Sequence, residues 1–232
     1  MKTYIYGIFL LTLTSCQTFL EQDENLPPIN PNYYIMDWVV YTTDEKHTPP
    51  ITDLKEGEYR LKGYGRTYYD WTRRSMLESW DTFCVPIFEN PDTEFKFPCK
   101  FLNTGEVSYL LVDTKAVPSR HECCIFSENF HPPTPSYARD AHMIYNSTIT
   151  IDGEEADVFS LNIPMPGPFW YGWYKNKIVD GHRVPASFAF PTVPPEIYTS
   201  HLFHNFRLVK PDPIIFKVPE SCRKAEKCIV FK

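Results

Sequence analysis

The chain has 232 residues, 43 % of them apolar, enough to fill one large core that disulfides would supplement rather than replace. Its formal net charge is −6 with no basic cluster, which argues against nucleic acid or an anionic membrane as the main partner. Its 22 prolines exclude long helices, because each removes a backbone donor and fixes φ, whereas 16 % aromatic residues favour pleated, half-buried surfaces.

At the N-terminus Lys2 precedes an apolar run from Tyr4 to Leu13, followed by Thr14, Ser15 and Cys16. A basic start, a short apolar segment and a small-residue exit are the plan of a signal peptide over residues 1–16. The run is well short of the roughly 20 residues that span a bilayer, and no later segment approaches that length. Leu13-Thr14-Ser15-Cys16 also resembles a bacterial lipobox, so Cys16 is either removed with the signal peptide, the favoured reading, or lipidated. Residues 17–32 are acidic and then Pro-rich and read as an exposed, flexible leader. Residues 33–222 read as a single β domain, and residues 223–232 as a C-terminal tail.

Within the domain, short runs alternate between apolar and polar residues, the signal of strands with two unlike faces. Tyr34, Met36, Trp38 and Val40 share one parity. Tyr59 and Leu61 alternate with Arg60 and Lys62 before Gly63-Tyr64-Gly65. Ser75–Trp80 could continue a strand or make one helical turn. Val107, Tyr109 and Leu111 lie opposite Ser108 and Leu110. The clearest hairpin joins residues 146–151 to residues 156–161 through Asp152-Gly153, because Asp-Gly tolerates the positive φ of a tight turn. Asp180-Gly181 likewise separates the aromatic run Phe169–Tyr174 from Arg183–Phe190. A short helix is expected near Pro194–Tyr198. The last strand is expected over Leu202–Val209, with Leu202, His204, Phe206 and Leu208 on one face.

Beyond Cys16, six cysteines remain: Cys84, Cys99, Cys123, Cys124, Cys222 and Cys228. An even number behind a signal peptide reads as a disulfide framework in an oxidising, extracellular compartment. Neighbours are too close for an unstrained mutual bond, and in extended chain their side chains point to opposite faces. Cys123 and Cys124 are therefore expected to make two bridges to two different segments. Cys84 and Cys99 are their expected partners, which leaves Cys222 for Cys228 unless one of that pair reaches back into the domain. No Cys-x-x-Cys or comparable zinc spacing occurs. Asn146-Ser147-Thr148 is an N-glycosylation sequon, so the exported chain is expected to be a glycoprotein.

The C-terminal region reads Phe203-His204-Asn205-Phe206, then Asp212-Pro213-Ile214-Ile215-Phe216-Lys217-Val218-Pro219-Glu220-Ser221-Cys222. This resembles the closing motif of ependymin-related secreted proteins, an Asp-Pro-x-x-Phe-x-x-Pro-x-x-Cys loop after a Phe/Asn-rich strand. Tyr68-Tyr69-Asp70-Trp71-Thr72-Arg73-Arg74 resembles the Tyr-Asp and Arg pattern near that family's start, and the likeness spans about residues 55–222. Cys123-Cys124 is similar to pairs in related secreted proteins of plants and protists. The cysteine pair and the tail after Cys222 depart from ependymins proper, so the pattern is that of a distant member. The resemblance implies an antiparallel two-sheet sandwich or half-open β-barrel with few short helices, like the bacterial lipoprotein carriers of the LolA and LppX type. It also implies an extracellular glycoprotein, a possible homodimer, with a pocket for a hydrophobic small molecule or lipid. Calcium is implied by the resemblance only, since no ligand set matches residue by residue.

Apolar pockets are lined by aromatic and aliphatic groups with a few polar groups that orient the ligand. Tyr69, Trp71, Tyr109, Phe159, Tyr171 and Trp173 lie in strand-like runs and are the candidate lining; the other reading is that they fill a closed core. Asp70 and Arg73 read as a pair supporting strand ends. His201-Leu202-Phe203-His204 lacks the glutamate of a metalloprotease motif, and His121, His131 and His142 flank the cysteine pair as solvated loop residues. Without Gly-x-Ser-x-Gly, a P-loop or a dinucleotide fingerprint, a binding protein is expected rather than an enzyme. An adhesion or matrix-interaction module and a secreted hydrolase with a dispersed active site are the alternatives.

Overall fold

The computed structural model describes residues 26–44, 46–50, 52, 54–84, 96–113, 115, 122–162, 169–192 and 198–228. The sequence signals at residues 1–25, Cys16 included, the histidine at 121 and residues 194–197 of the expected short helix lie outside them. The fold is mainly β, as expected. Its strands are β1 (Tyr33–Thr43), β2 (Leu61–Asp70), β3 (Ser75–Trp80), β4 (Cys99–Asn103), β5 (Ser108–Val112), β6 (Cys123–Ser127), β7 (Ile144–Ile151), β8 (Glu154–Leu161), β9 (Phe169–Val179), β10 (His182–Pro191) and β11 (Tyr198–Arg207). They form one antiparallel sheet ordered β6-β5-β4-β3-β2-β1-β11-β10-β9-β8-β7, open between β6 and β7. Two meanders, β1–β6 and β7–β11, thus join side by side through the β1–β11 pair.

The sheet is curled rather than flat. Tyr171 on β9 hydrogen-bonds Tyr34 on β1, three strands away. In a flat sheet those backbones would lie about 14 Å apart, so the face carrying both rings bends inward. The half-open arrangement is therefore a single sheet curled on itself. The connections β1–β2, β3–β4, β5–β6, β8–β9 and β10–β11 leave from one end of it. The other end is closed by short turns, among them Asp152-Gly153 and Asp180-Gly181, all four residues at positive φ as their hairpins require.

Alternation in β1 holds as read: Tyr34, Met36, Trp38 and Val40 are all buried on the inner face. Ser75–Trp80 is strand, extending the sheet beyond β2. Gly63 and Gly65 belong to β2, and their missing side chains make room for rings. A Cβ on Gly65 would collide with the Trp38 indole and the Ser79 carbonyl, and one on Gly63 with Phe83. The last strand departs from expectation. Asn205 takes a left-handed φ of 47°, and the register to β1 slips between Ile35 and Asp37. His201 and Phe203 therefore face inward opposite Val40 and Trp38, Leu202 packs on the outer face, and Phe206 comes against Tyr34.

A strap over residues 128–143 crosses from β6 to β7 over the inner face. It carries one helical turn, α1 (Tyr137–Asp140), and lays Ala138 and Met143 on Phe159 and Trp173. The leader does not stay exposed throughout. Pro27, Pro28 and Pro31 are buried, Asn30 N–H donates to the Pro135 carbonyl, and Arg139 Nε donates to the Pro27 carbonyl at 2.6 Å. The expected tail is also fixed in part. After β11 the chain crosses the outer face, where Phe216 packs on Leu77 and Leu102, and Lys227 and Cys228 lie beside β6.

The disulfides correct the expected pairing. Cys84 bonds Cys99, Cys123 bonds Cys222, and Cys124 bonds Cys228. The two neighbours do make two bridges from opposite faces of β6, but both reach the C-terminal segment. Cys99 pairs in register with Trp80, so Cys84, just past the end of β3, meets it locally. That leaves the two cysteines of the crossing tail for β6.

Candidate functional site

The inner face carries an aromatic wall. Trp38, Trp80 and His201 pack edge to face, with ring centroids 4.9 to 5.2 Å apart. Phe188, Phe190 and Phe203 surround His201. Burial depresses the His201 imidazole to about 3, so it is neutral, and its Nδ1 has no hydrogen-bond partner. Phe169, Tyr171, Phe188 and Phe190 are stacked or tilted against one another and remain half-buried, forming an accessible aromatic surface.

A polar group interrupts this wall. Glu78 on β3 pairs with Thr67 on β2 and Phe101 on β4, which sets its side chain on the inner face. Burial pushes its carboxyl up to about 7, and the Trp80 indole alone opposes the shift. Tyr34, Tyr69 and Tyr171 stand nearby, each raised by burial and so neutral. The Tyr69 hydroxyl donates to the Pro133 carbonyl at 2.7 Å, tying β2 to the strap. Tyr171 also bonds Asn30, whose Oδ1 accepts from Trp173 Nε1 at 3.0 Å.

Of the six expected lining residues, Tyr69, Phe159, Tyr171 and Trp173 come together on the inner face. Tyr69, Phe159 and Trp173 are fully buried, so their role is mainly packing, whereas Tyr171 keeps accessible surface. Trp71 lies in the 3-10 turn after β2, packed against the edge of this cluster. Tyr109 is on the opposite face with Leu77, Leu102 and Phe216. The parity of β5 decides this: Leu110 pairs with Phe101 and Cys124 and points inward, which turns Tyr109 out. Sequence reasoning missed Glu78, Tyr34, Phe188 and Phe190. The signal for Glu78 was its place on the apolar parity of β3, between Met76 and Trp80.

Two other buried acids, Asp70 and Asp157, are structural. Asp70 is fully buried, caps the turn at Thr72 N–H, and lies 3.6 Å from Arg73 and 3.7 Å from Lys210, the strand-end pair expected. Asp157 is held by Arg183 at 2.9 Å. An open surface groove of about 580 Å³ beside Asp37, Arg66, Tyr68 and Asn205 is polar and lies on the outer face. Among the described residues no group of three or more metal-ligating side chains comes together, and no helix is long and apolar enough to cross a membrane.

No family model matches the chain, and no curated protein matches it. Solved structures that the chain resembles include an uncharacterized conserved protein from Thermus thermophilus, at TM-score 0.45 and 8 % identity over 83 % of this chain and 88 % of that one. A LolA superfamily protein from Nitrosomonas europaea matches at TM-score 0.40 and 10 % identity, over 83 % of this chain and 92 % of that one. An outer membrane lipoprotein-sorting protein domain from Vibrio parahaemolyticus matches at TM-score 0.40 and 9 % identity, over 80 % and 89 % of the two chains.

Proposed function

We propose that the chain is a secreted, extracellular protein that binds a hydrophobic small molecule or lipid against the inner face of its sheet. One observation carries this reading: Phe169, Tyr171, Phe188 and Phe190 form a stacked aromatic surface that the fold leaves half-buried inside its own curl. Apolar surface kept accessible in a concave setting is what a greasy ligand needs, and it costs stability if nothing covers it. Three disulfides in a chain with a signal-like N-terminus fit an oxidising compartment.

The test is native mass spectrometry of the full chain purified after secretion, before and after organic extraction. The expected result is a mass excess that extraction removes and that the double variant Phe188→Ser/Phe190→Ser fails to carry. A wild-type protein that secretes well, carries no extractable species and binds no apolar probe would refute the pocket and favour an adhesion module acting through its surface.

A further inference from the structure

Glu78 is unlike every other deeply placed carboxylate described. Asp70 and Asp157 each have a cation within 4 Å. Glu78 makes no ion pair among the described residues, and no positive group acts on it. It is also enclosed by β2, β4 and the rings of β1 and β9, while Glu78 and Tyr171 are only half-buried as residues. A carboxyl held in an aromatic wall with one indole for company and no cation is costly to ionise unless something supplies a donor or a positive charge.

We propose that Glu78, framed by Tyr34 and Tyr171, anchors the head group of the bound molecule, and that this head is a hydrogen-bond donor, an amine or hydroxyl on an apolar body, rather than a carboxylate. This deepens the pocket reading and rests on it. The surroundings set the selectivity. The titratable groups that act with Glu78 are Tyr34 and Tyr171, both neutral, and Tyr69 and His201 on the same face are neutral too. An ammonium head would meet an uncompensated acid and form a charge-assisted bond, and a hydroxyl would donate to it. A fatty-acid carboxylate would bring a second negative charge into the same apolar site.

The experiment is calorimetric titration of the extracted full chain with decylamine, decanol and decanoate, at about pH 8 and about pH 6, the two sides of the Glu78 titration, with decanoate charged at both. At the higher pH, decylamine and decanol should bind at least about tenfold more tightly than decanoate, the worth of one charged hydrogen bond. Glu78→Gln, nearly isosteric, should keep decanol binding and bring decylamine and decanoate within about twofold of each other, as protonation should in the wild type. The wild-type pH series decides the matter even if the variant folds poorly. Equal binding of all three ligands, or a preference that survives both Glu78→Gln and acid, overturns the anchor while the pocket stands. Failure of all three to bind removes the pocket and the anchor with it.

Discussion

Two bridges that start from adjacent cysteines cannot act independently. Cys123–Cys222 and Cys124–Cys228 close loops of 99 and 104 residues. Once one is formed, the other closes only the short ring made by residues 222–228 and the 123–124 step. In chain-entropy terms the first closure restrains the unfolded chain by about 5 kcal/mol, and the second adds only about 2.5 kcal/mol. Removing either bridge alone, as Cys123→Ala/Cys222→Ala or Cys124→Ala/Cys228→Ala, should therefore cost about 2.5 kcal/mol, because the survivor still holds the long loop. Removing both should cost about 7 kcal/mol, roughly 2 kcal/mol more than the two single losses together. Urea unfolding followed by the fluorescence of buried Trp38, Trp80 and Trp173 measures all four proteins. Alanine avoids stranding a buried hydroxyl at Cys123 or Cys222. Single losses that each cost as much as a first closure, and that add without coupling, would refute the nested-loop reasoning.

The remaining predictions concern the inner face. Folding holds a proton on Glu78 that the unfolded chain gives up near its usual value of 4.5, so the stability this contributes is present at low pH and lost as pH rises through about 7. Glu78→Gln should match the wild type at about pH 4 and exceed it at about pH 8 by roughly 3 kcal/mol in urea; parallel profiles would refute this. His201 behaves oppositely: its folded value of about 3 lies below the ordinary 6.5, so stability is complete above 6.5 and lost as pH falls toward 3. His201→Leu should flatten that acid limb in the same assay, and an unchanged slope would show that other groups govern it. Finally, Tyr171→Leu should weaken decanol binding by about tenfold, the worth of one buried hydrogen bond and part of a ring, whereas Tyr109→Leu should leave it unchanged. An effect at Tyr109 would mean that the outer face takes part.

Local chemistry was legible where it was sufficient. The alternation of Tyr34 to Val40 and the two Asp-Gly pairs needed no distant information, and the structure follows them. Tyr109 shows where this ends. Its run alternates cleanly, but both faces of the sheet bury aromatic residues, so alternation alone does not say which parity turns inward. The register with Phe101 and Cys124 settles it, and that is a long-range fact. The bulge at Asn205 is a second case: one residue in a left-handed conformation re-aims the strand, and asparagine tolerates that conformation without demanding it. The cysteine pairing failed because it depends on the path of residues 208–221 across the outer face. Glu78 was readable as an acid on an apolar stripe, but its lack of a cation emerges only from the assembled face.

The C-terminal segment has one more effect. Ile125 N–H donates to the Glu226 carbonyl at 2.7 Å, and Cys228 N–H donates to the Ile125 carbonyl at 2.8 Å. The free margin of β6 is thereby occupied by the protein's own chain and locked there by Cys124–Cys228. At the far margin, β7 exposes Ile144 and Tyr145 beside Asn146, where a sugar chain on the sequon would block approach. A molecule that lost its bridges in a reducing compartment would release one margin, and one without a sugar at Asn146 would leave the other bare. With both unguarded, copies would be free to stitch together strand by strand, so the bridges bear on solubility as much as on folding.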